Sequence, residues 1–360
     1  MATLLKLSES YRDRHAISLA LLDDEPLAFP LPPWLTVYRL NCAQRTVASL
    51  IGLRRLVGQL KPDITVSFLT RSNVASAVAA IGRNHPWIIS ERTNTAAHLG
   101  IGPRSVISKA LVRLSYRRAH RVIAVSGGVA ANLEENFRVR SASIDVVHNP
   151  VDVEGIRAAA QAQIPIEIDG PFVLAVGRLI PSKNYRMLLC AFASSGLDGR
   201  LIIAGEGPER ADLEKLANEL GVRKRVLFPG FLPNPYPLFA RASIFALSSN
   251  YEGFPNALVE ALALSVPVVA TNCAVGPAEI LAGRRQDEVR GTVVAPAGIL
   301  CPVGDADAFA QALRLASDAE IRRRVVAGGE AAVCGYASSS AVRRYWEIIE
   351  RTAQPLTEVC

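Results

Sequence analysis

The sequence predicts an α/β protein with two domains, each built on a mainly parallel sheet that is covered by helices. Short, apolar, partly β-branched runs alternate with helical segments of about ten or more residues, which is the pattern of successive β-α-β units. A chain of 360 residues is long enough for two hydrophobic cores. Because residues 158–171 show no clear periodicity, we expect domains over 1–165 and 166–338 and a last helix over 339–360 that packs back towards the first domain.

The composition is that of a folded globular protein with a positive balance of charge. Half of the residues are hydrophobic, 20% are charged, and the formal net charge is +7. A positive balance favours an acidic partner, for which an anionic membrane surface is one candidate. We expect no nucleic-acid partner, because the sequence has no zinc-ligand spacing, RNA-binding consensus or sustained Lys/Arg tract.

The cysteines and the start of the chain bear on the compartment. The six cysteines are scattered without a C-x-x-C spacing, which favours a reduced chain with mostly buried thiols. No apolar run reaches the roughly 20 residues that span a bilayer, and the first ten residues do not resemble a secretory signal. We therefore expect a cytoplasmic protein, with peripheral binding at the inner face of the cell membrane as an open alternative.

In the first domain, apolar runs and helical periods alternate along the chain. Strands are predicted over 16–22, 35–40, 64–68, 87–90, 121–126 and 143–148, and helices over 2–14, 46–60, 73–81, 106–118 and 127–136. A proline-rich loop over 26–33 joins the first two strands. Such domains usually open on a strand and a glycine-rich loop, whereas this chain opens on a helix, so we expect the first strand to be lacking.

The first domain has two groups of polar residues, and for each group both a functional and a structural interpretation are open. Lys109, Arg113 and Arg117 recur every four residues, which indicates either a face for a membrane or an anionic acceptor, or an ordinary solvated helix face. Residues 90–94 follow an apolar strand directly. They indicate a ligand site at the carboxyl end of the sheet or, alternatively, a loop whose side chains cap a helix.

The second domain repeats the alternation. Strands are predicted over 172–177, 201–204, 225–231, 242–247 and 266–271, and helices from about 184 and over 209–220, 256–264, 306–316 and 339–352. The strand over 172–177 is a continuous apolar run, as expected of a strand buried on both faces of a parallel sheet.

The stretch 248–260 organises this domain. It places Glu252 after a strand and Glu260 about two turns into a helix, with a Gly-Phe-Pro-Asn turn between the two carboxylates. Unpaired backbone N–H groups at a helix start suit a phosphate. A carboxylate further along the helix suits sugar hydroxyls, so the pattern indicates a nucleotide-sugar site.

Two neighbouring loops support the same interpretation. Arg178 and Lys183 flank the loop after the strand over 172–177, and such cations bind a diphosphate, arginine through two N–H groups and lysine as a point charge. Gly205 and Gly207 follow the next strand and permit a close approach of the backbone to a ligand. Taken alone, the cation pair is also consistent with a solvated surface.

From Phe172 to about residue 315 the chain resembles the retaining glycosyltransferases of family 4. The resemblance is carried by the order and spacing of several motifs: Gly177-Arg178 with Lys183, Gly205 to Pro208, Glu252-x7-Glu260, and Gly304-Asp305. The first half resembles the family more loosely, through residues 61–63, 124–126 and 148–152. The resemblance implies the GT-B fold, in which two Rossmann-like domains with mainly parallel sheets face each other across a cleft.

The resemblance also implies roles for individual residues. Arg178, Lys183 and Glu252 would be catalytic, with the two cations neutralising the donor diphosphate and Glu252 contacting the transferred sugar. The donor would further be bound by Gly177, Gly205, Gly207, Phe231, Gly253, Phe254, Pro255, Asn256, Ala257 and Glu260. Glu260 would bind the ribose, and the residues around Gly207 and Phe231 would line the base pocket. The acceptor side would include Glu91, Arg92, Asn94, Ser126 and Asn149. The family needs no cofactor and no metal.

These expectations combine into one function. The chain would move a hexose or N-acetylhexosamine, with retention of configuration, from a UDP- or GDP-linked sugar to a glycan or polyprenyl-linked acceptor in cell-surface polysaccharide synthesis. Two departures from the family leave alternatives open. The first strand with its Gly-Gly loop is missing, and residues 91–94 stand where many members have a histidine. A truncated, non-catalytic nucleotide-sugar-binding protein and a sugar-phosphate synthase of the same fold are the alternatives.

Overall fold

The fold consists of two compact units. A computed structural model of the chain describes residue 5 and residues 8–24, 31–83, 85–100, 102–164, 166–336 and 338–354. Unit 1 comprises Met1–Pro150 together with Ser338–Cys360, and unit 2 comprises Val151–Ala337. Both units contain mainly parallel sheets with helices between most successive strands, which confirms the predicted α/β class.

Unit 1 contains two parallel sheets. The larger has the strand order β3-β4-β5-β6, and the smaller pairs β1 with β2. The strands are β1 (Ser18–Leu21), β2 (Thr36–Arg39), β3 (Thr65–Phe68), β4 (Trp87–Glu91), β5 (Arg121–Ala124) and β6 (Ile144–Val146). The helices of the first 150 residues are α1 (Thr46–Leu60), α2 (Thr70–Ala80), α3 (Thr95–Leu99), α4 (Pro103–Tyr116) and α5 (Gly127–Phe137). Every residue of β4 is buried, as expected of an inner strand.

Unit 2 is built on one seven-stranded sheet of order β12-β13-β11-β10-β7-β8-β9. All neighbours are parallel except β12 and β13. The strands are β7 (Phe172–Val176), β8 (Arg200–Ala204), β9 (Val226–Gly230), β10 (Ile244–Leu247), β11 (Val268–Thr271), β12 (Val293–Ala295) and β13 (Gly298–Cys301). The helices are α6 (Val153–Ala159), α7 (Tyr185–Ser194), α8 (Arg210–Glu219), α9 (Tyr236–Arg241), α10 (Asn256–Ala263), α11 (Pro277–Ala282), α12 (Ala306–Ser317) and α13 (Ala319–Val333).

The strand order of unit 2 reverses between β7 and β10. From β7 the chain proceeds outward through β8 and β9, and it then returns to β10 on the other side of β7 before continuing to β11. Loops that leave two adjacent strands in opposite directions open a crevice at the carboxyl edge of the sheet, where ligands of open α/β sheets bind. The topology therefore directs attention to the loops after β7 and β10.

The C-terminal helix α14 (Ser338–Ala353) belongs to unit 1. Its buried face includes Tyr345 and Trp346, which pack against Ile88 and Ile123 of the larger sheet. The Trp346 indole donates a hydrogen bond from Nε1 to Ser8 Oγ (3.0 Å) and stacks on Tyr11, with ring centroids 4.5 Å apart. Aromatic burial thus holds both ends of the chain on the same unit.

The structure corrects the first domain boundary from residue 165 to Pro150. Helix α6 was not predicted, and it packs in unit 2 because Arg157 donates from Nε to the Ala263 carbonyl (3.1 Å) and Asn234 donates from Nδ2 to the Ala159 carbonyl (2.9 Å). The interval 158–171, interpreted as a linker, therefore begins inside unit 2.

Other differences concern individual helices. The described part of the predicted helix 2–14 includes a 3-10 turn over Ser8–Tyr11, and residues 12–14 form a turn. Helices α3, α9, α11 and α13 were not predicted; the first three are too short to show a helical period, and α13 has a Gly-Gly pair in its interior. Residues 2–4 and 6–7 of the predicted helix, and residues 26–30 of the proline-rich loop, lie outside the described residues.

Removing the Trp346 side chain is expected to destabilise unit 1. Trp346→Ala should lower the free energy of unfolding by about 3–5 kcal/mol, because it leaves a cavity and removes the hydrogen bond to Ser8. The measurement is urea unfolding followed by far-UV circular dichroism. Arg344→Ala on the exposed face of α14 is the matched control, and equal stability of the two variants would contradict the assignment.

Candidate functional site

The candidate site lies at the carboxyl edge of the unit 2 sheet, at the reversal between β7 and β10. Its central contact is an ion pair between Lys183 and Glu252, whose Nζ and Oε1 atoms are 2.6 Å apart. The Lys183 side chain is 22% exposed and the Glu252 side chain 10%. The Ser249 hydroxyl also donates to Glu252 Oε1 (2.6 Å), so the largely buried carboxylate has two donors.

Further hydrogen bonds fix the two loops against each other. The Ser248 hydroxyl donates to the Lys183 carbonyl (2.7 Å), and the Asn250 amide N–H donates to the Ser182 carbonyl (2.8 Å). Asn184 donates from Nδ2 to Asn250 Oδ1 (2.9 Å) and also accepts from the Met187 N–H at the start of α7. The pair of charged residues is thus held by backbone as well as side-chain contacts.

Arg178 lies in the same loop as Lys183 but is differently placed. Its side chain is exposed, and no described residue forms an ion pair or hydrogen bond with its guanidinium. One cation of the loop is therefore paired with a carboxylate, and the other is available to an anion from solvent. A guanidinium in this situation can bind a phosphate through two N–H groups.

The start of α10 lies beside this loop and contributes the positive end of a helix dipole. Pro255 is the N-cap and makes no side-chain capping hydrogen bond, while the Asn256 N–H donates to the Phe254 carbonyl (3.0 Å) and the Leu258 N–H to the Pro255 carbonyl (3.0 Å). The turn before it is anchored by Phe254, which is 6% exposed and packs on Tyr336 with ring centroids 5.5 Å apart. Gly276, in the loop before α11, packs closely on Pro255, because a Cβ at this position would lie 2.5 Å from Pro255 Cδ. The positive end of a helix dipole on a fixed turn favours an anion nearby.

Glu260, in the middle of α10, is half-buried and faces Tyr236. Burial raises the pKa of this carboxyl from 4.5 to about 7, and a hydrogen bond from the Tyr236 side chain opposes that shift. Burial, followed by the negative charge of Glu260, raises the pKa of the Tyr236 hydroxyl. A carboxylate in this environment gains from any further donor that enters the site, such as a sugar hydroxyl.

The glycines after β8 serve the packing of neighbouring loops. A Cβ at Gly205 would lie 1.9 Å from the Gly177 carbonyl oxygen, and one at Gly207 would lie 2.3 Å from the Leu179 carbonyl oxygen. From the sequence, these glycines were expected to let a ligand approach the backbone closely. In the structure, the group that lies close to them is the backbone of the loop after β7. Phe231, which follows β9, is 62% exposed and presents an apolar ring at the same edge of the sheet.

The residues predicted for the acceptor side lie in unit 1, and most of them have intramolecular partners. Glu91 ends β4, is fully buried, and accepts hydrogen bonds from the Tyr116 hydroxyl (2.5 Å) and the Thr93 hydroxyl (3.1 Å). Its carboxylate also accepts from the Arg92 N–H (3.0 Å). Glu91 therefore fixes the loop that follows its own strand.

The other acceptor-side residues also have partners. Asn94 caps α3 by accepting from the Ala97 N–H (3.1 Å), and Ser126 caps α5 by accepting from the Val129 N–H (3.3 Å). Arg92 donates to the Tyr345 hydroxyl (2.7 Å). Asn149 is half-buried at the end of unit 1. Loop capping is thus what Asn94 does in the structure, and a role of these residues towards an acceptor stays a prediction.

Several residues of the site were not predicted from the sequence. Ser248 and Ser249 directly follow β10, and this position after an apolar strand was the available signal. Thr271 ends β11 and donates to the Ser249 carbonyl (2.6 Å), and Tyr236 faces Glu260 from a different helix. No sequence pattern relates Tyr236 to Glu260, because the contact depends on how α9 and α10 pack.

The described residues include neither a cluster of metal ligands nor a membrane-spanning helix. No group of three or more His, Cys, Asp or Glu side chains is arranged to hold a metal ion within the part of the chain that the structure describes. Among the same residues, no helix has the length and hydropathy needed to cross a bilayer.

Family profiles match both halves of the chain. The profile of "Glycosyl transferases group 1" matches residues 157–330, and that of "Glycosyltransferase Family 4" matches residues 4–154. The two matches adjoin one another near the observed boundary between unit 1 and unit 2.

Individual proteins of known activity and structure are also similar. An N-acetylgalactosamine-N,N'-diacetylbacillosaminyl-diphospho-undecaprenol 4-alpha-N-acetylgalactosaminyltransferase of Campylobacter jejuni is 33% identical over 229 residues, which are 63% of this chain and 62% of that protein. The chain spans about three fifths of the length of the curated relatives it matches.

Two solved structures show the same fold. Anabaena HepE in complex with UDP superposes with a TM-score of 0.74 at 18% identity, covering 97% of this chain and 95% of that one. A sucrose-phosphate synthase from Thermosynechococcus elongatus superposes with a TM-score of 0.79 at 19% identity, covering 96% and 91%.

The raised pKa of Glu260 predicts a dependence of stability on pH. The unfolded carboxyl ionises near 4.5 and the folded one near 7, so between these values the folded state binds more protons and loses stability as the pH rises. Glu260→Gln is neutral throughout and should gain about 1–2 kcal/mol relative to wild type between pH 5 and pH 8. Urea unfolding at the two pH values measures the difference.

The exposed Glu219→Gln on α8 is the control for this experiment, and its difference from wild type should not change with pH in the same way. A Glu260→Gln effect of equal size at both pH values would show that Glu260 titrates as an ordinary carboxyl.

Proposed function

The chain belongs to the family 4 glycosyltransferases, and we propose that it transfers a hexose or N-acetylhexosamine from a nucleotide diphosphate sugar to a glycan or lipid-linked acceptor. The proposal places this reaction in the synthesis of a cell-surface polysaccharide. One observation carries it: the Lys183–Glu252 pair lies at the strand-order reversal, in the same loops as the start of α10 and the exposed Arg178, which has no ion-pair partner among the described residues.

The donor is proposed to bind with its diphosphate at this group of cations and backbone donors. Arg178 would bind the phosphates through its guanidinium. The Lys183 ammonium group, which is paired with Glu252, would also donate an N–H group to the diphosphate. The backbone N–H groups at the start of α10 would add the positive end of a helix dipole. The leaving group of the reaction is a nucleoside diphosphate, so stabilising its charge lowers the barrier to transfer.

The carboxylates are proposed to bind the two sugars of the donor. Glu252 would accept hydrogen bonds from the transferred sugar, and Glu260 from the ribose hydroxyls. Phe231 and the loop of Gly207 would line the base pocket. UDP and GDP both remain in the proposal, and the UDP-bound HepE structure supports UDP as the first to be tested.

The acceptor and the stereochemistry are further parts of the proposal. The name of the Campylobacter relative includes a diphospho-undecaprenol, which supports a polyprenyl-linked glycan as acceptor. We propose retention of the anomeric configuration by attack on the same face from which the leaving phosphate departs, with that phosphate assisting removal of the acceptor proton. Such a reaction asks the protein chiefly for positioning and charge stabilisation. We propose that the reaction needs no metal ion. We also propose that it takes place at the cytoplasmic side of a membrane.

The central experiment combines purified protein, a panel of UDP- and GDP-sugars, and polyprenyl-diphosphate-linked glycans. We expect one donor to give a glycosylated lipid, with the bond in the donor's anomeric configuration by NMR and with full activity in EDTA. Transfer to a sugar phosphate would favour the synthase alternative. Donor binding by thermal shift without transfer or hydrolysis would favour the non-catalytic alternative.

Loss of either member of the central pair is expected to impair transfer. Lys183→Ala removes a charge that stabilises the leaving diphosphate, and Glu252→Ala removes a contact to the sugar, so each should lower kcat/KM by about 100-fold or more. Initial rates with the competent donor measure the effect. Lys215→Ala on the exposed face of α8 is the matched control. Full activity of either site variant would contradict the proposal.

The donor affinity is expected to depend on pH through Glu260. An ionised carboxylate accepts hydrogen bonds from ribose better than a neutral one, and at pH 6 only about a tenth of a group with a pKa of about 7 is ionised. Binding of the intact nucleotide sugar should therefore tighten by up to about tenfold between pH 6 and pH 8.

Calorimetry in two buffers of different ionisation enthalpy measures this affinity together with the proton released on binding. Glu260→Gln should bind more weakly than wild type at pH 8 and release no proton. Proton release that persists in Glu260→Gln would assign the titration to a different group.

A further inference from the structure

Helix α4 of unit 1 has an apolar face directed to solvent. Val106 (67% exposed), Ile107 (64%), Leu111 (47%) and Leu114 (56%) are among the most exposed large apolar side chains of the described residues. Ile107, Leu111 and Leu114 recur at intervals of four and three residues and so form one helical stripe. Single exposed apolar residues are normal on a protein surface, whereas these neighbouring side chains form one contiguous apolar patch.

The opposite face of α4 is the one that packs on unit 1. Ser105, Val112 and Tyr116 are buried, at intervals of seven and four residues. In an α-helix these positions lie about half a turn away from Ile107 and Leu111. Both faces are therefore apolar, whereas a surface helix ordinarily directs polar side chains outward. Helix α8 follows the ordinary pattern, with Lys215 and Glu219 paired on its exposed side.

Positive charge flanks the apolar stripe without a compensating negative charge. Lys109, Arg113, Arg117 and Arg118 lie on α4 or directly after it, and no described carboxylate lies within ion-pair distance of them. From Arg92 to Leu133 the sequence has seven lysines and arginines and no aspartate or glutamate. The region thus combines an exposed apolar stripe with cations on the same helix and directly after it.

We propose that α4 docks on an anionic lipid bilayer, with Ile107, Leu111 and Leu114 entering the interfacial layer and the cations contacting lipid phosphates. A helix that lies in the plane of a membrane requires this combination of apolar and basic residues. A second copy of the chain fits the surface less well, because a twofold contact through α4 would bring its cations together without acidic partners. The inference rests on α4 alone and does not depend on the proposed donor or acceptor.

Vesicle sedimentation of the full chain tests the proposal. Wild type should bind vesicles of phosphatidylcholine with phosphatidylglycerol at least about tenfold better than vesicles of phosphatidylcholine alone, and less well at high salt. Ile107→Glu/Leu111→Glu should lose most of this binding, and Lys109→Glu/Arg113→Glu should lose it similarly. The matched controls are Val303→Glu, an exposed apolar position of unit 2, and Lys215→Glu/Lys224→Glu, which makes the same change of net charge.

Insertion has its own measurement. A tryptophan introduced as Leu111→Trp should shift its emission to the blue on binding and be quenched by lipids with brominated acyl chains, whereas Lys215→Trp should show neither effect. Circular dichroism and the thermal shift with UDP establish that each variant is folded and retains the unit 2 site, so a failure of donor binding is separated from a failure of membrane binding.

Three results would overturn the proposal. The first is that anionic vesicles do not retain wild type at all. The second is that Ile107→Glu/Leu111→Glu binds them as wild type does, which would reduce the contact to charge alone. The third result is a wild-type dimer by light scattering that Ile107→Glu/Leu111→Glu converts to a monomer, without vesicle binding by either. That outcome would assign the stripe to a second copy of the chain.

Discussion

The ion pair between Lys183 and Glu252 joins the two loops on which the unit 2 site depends. Both side chains are largely withdrawn from water, so each needs its partner, and the Ser249 hydroxyl and the surrounding backbone hydrogen bonds complete the arrangement. The pair also connects β7 and β10, the strands between which the sheet order reverses. The proposed diphosphate would meet an ammonium group that is already oriented and an Arg178 side chain with no ion-pair partner among the described residues, which would reduce the reorganisation required on binding.

The rest of the site follows from the topology of a parallel sheet. Residues far apart in sequence meet because all the central strands end at one edge, and the loops there must pack closely enough to leave a shaped surface. Gly205 and Gly207 make that packing possible, since any side chain at either position would strike the carbonyl of a neighbouring loop. These glycines contribute to the site by allowing the β7 loop, with its two cations, to lie where it does.

Unit 1 uses its polar residues differently. The carboxylate of Glu91 is fully buried and accepts hydrogen bonds from Tyr116, Thr93 and the following backbone. Asn94 and Ser126 cap helices. What distinguishes the surface of this unit is α4, where apolar side chains face solvent beside cations for which the described part of the chain provides no ion-pair partner. The distinctive feature of unit 2 is thus a crevice with charged side chains, and that of unit 1 is an exposed helix with apolar and basic side chains.

Local patterns in the sequence determined the fold class, most strands, the long helices such as α1, and the positions of the cations and carboxylates of unit 2, because hydrophobic period and turn residues act over short distances. They did not reveal α9 or α13, or the place of α6 in unit 2. They also did not relate Tyr236 to Glu260, or show that Lys183 pairs with Glu252 while Arg178 has no such partner among the described residues. Those facts depend on which helices pack together and which side chains become buried. Burial and charge pairing are decided by neighbours distant in sequence, so only the tertiary structure could supply them.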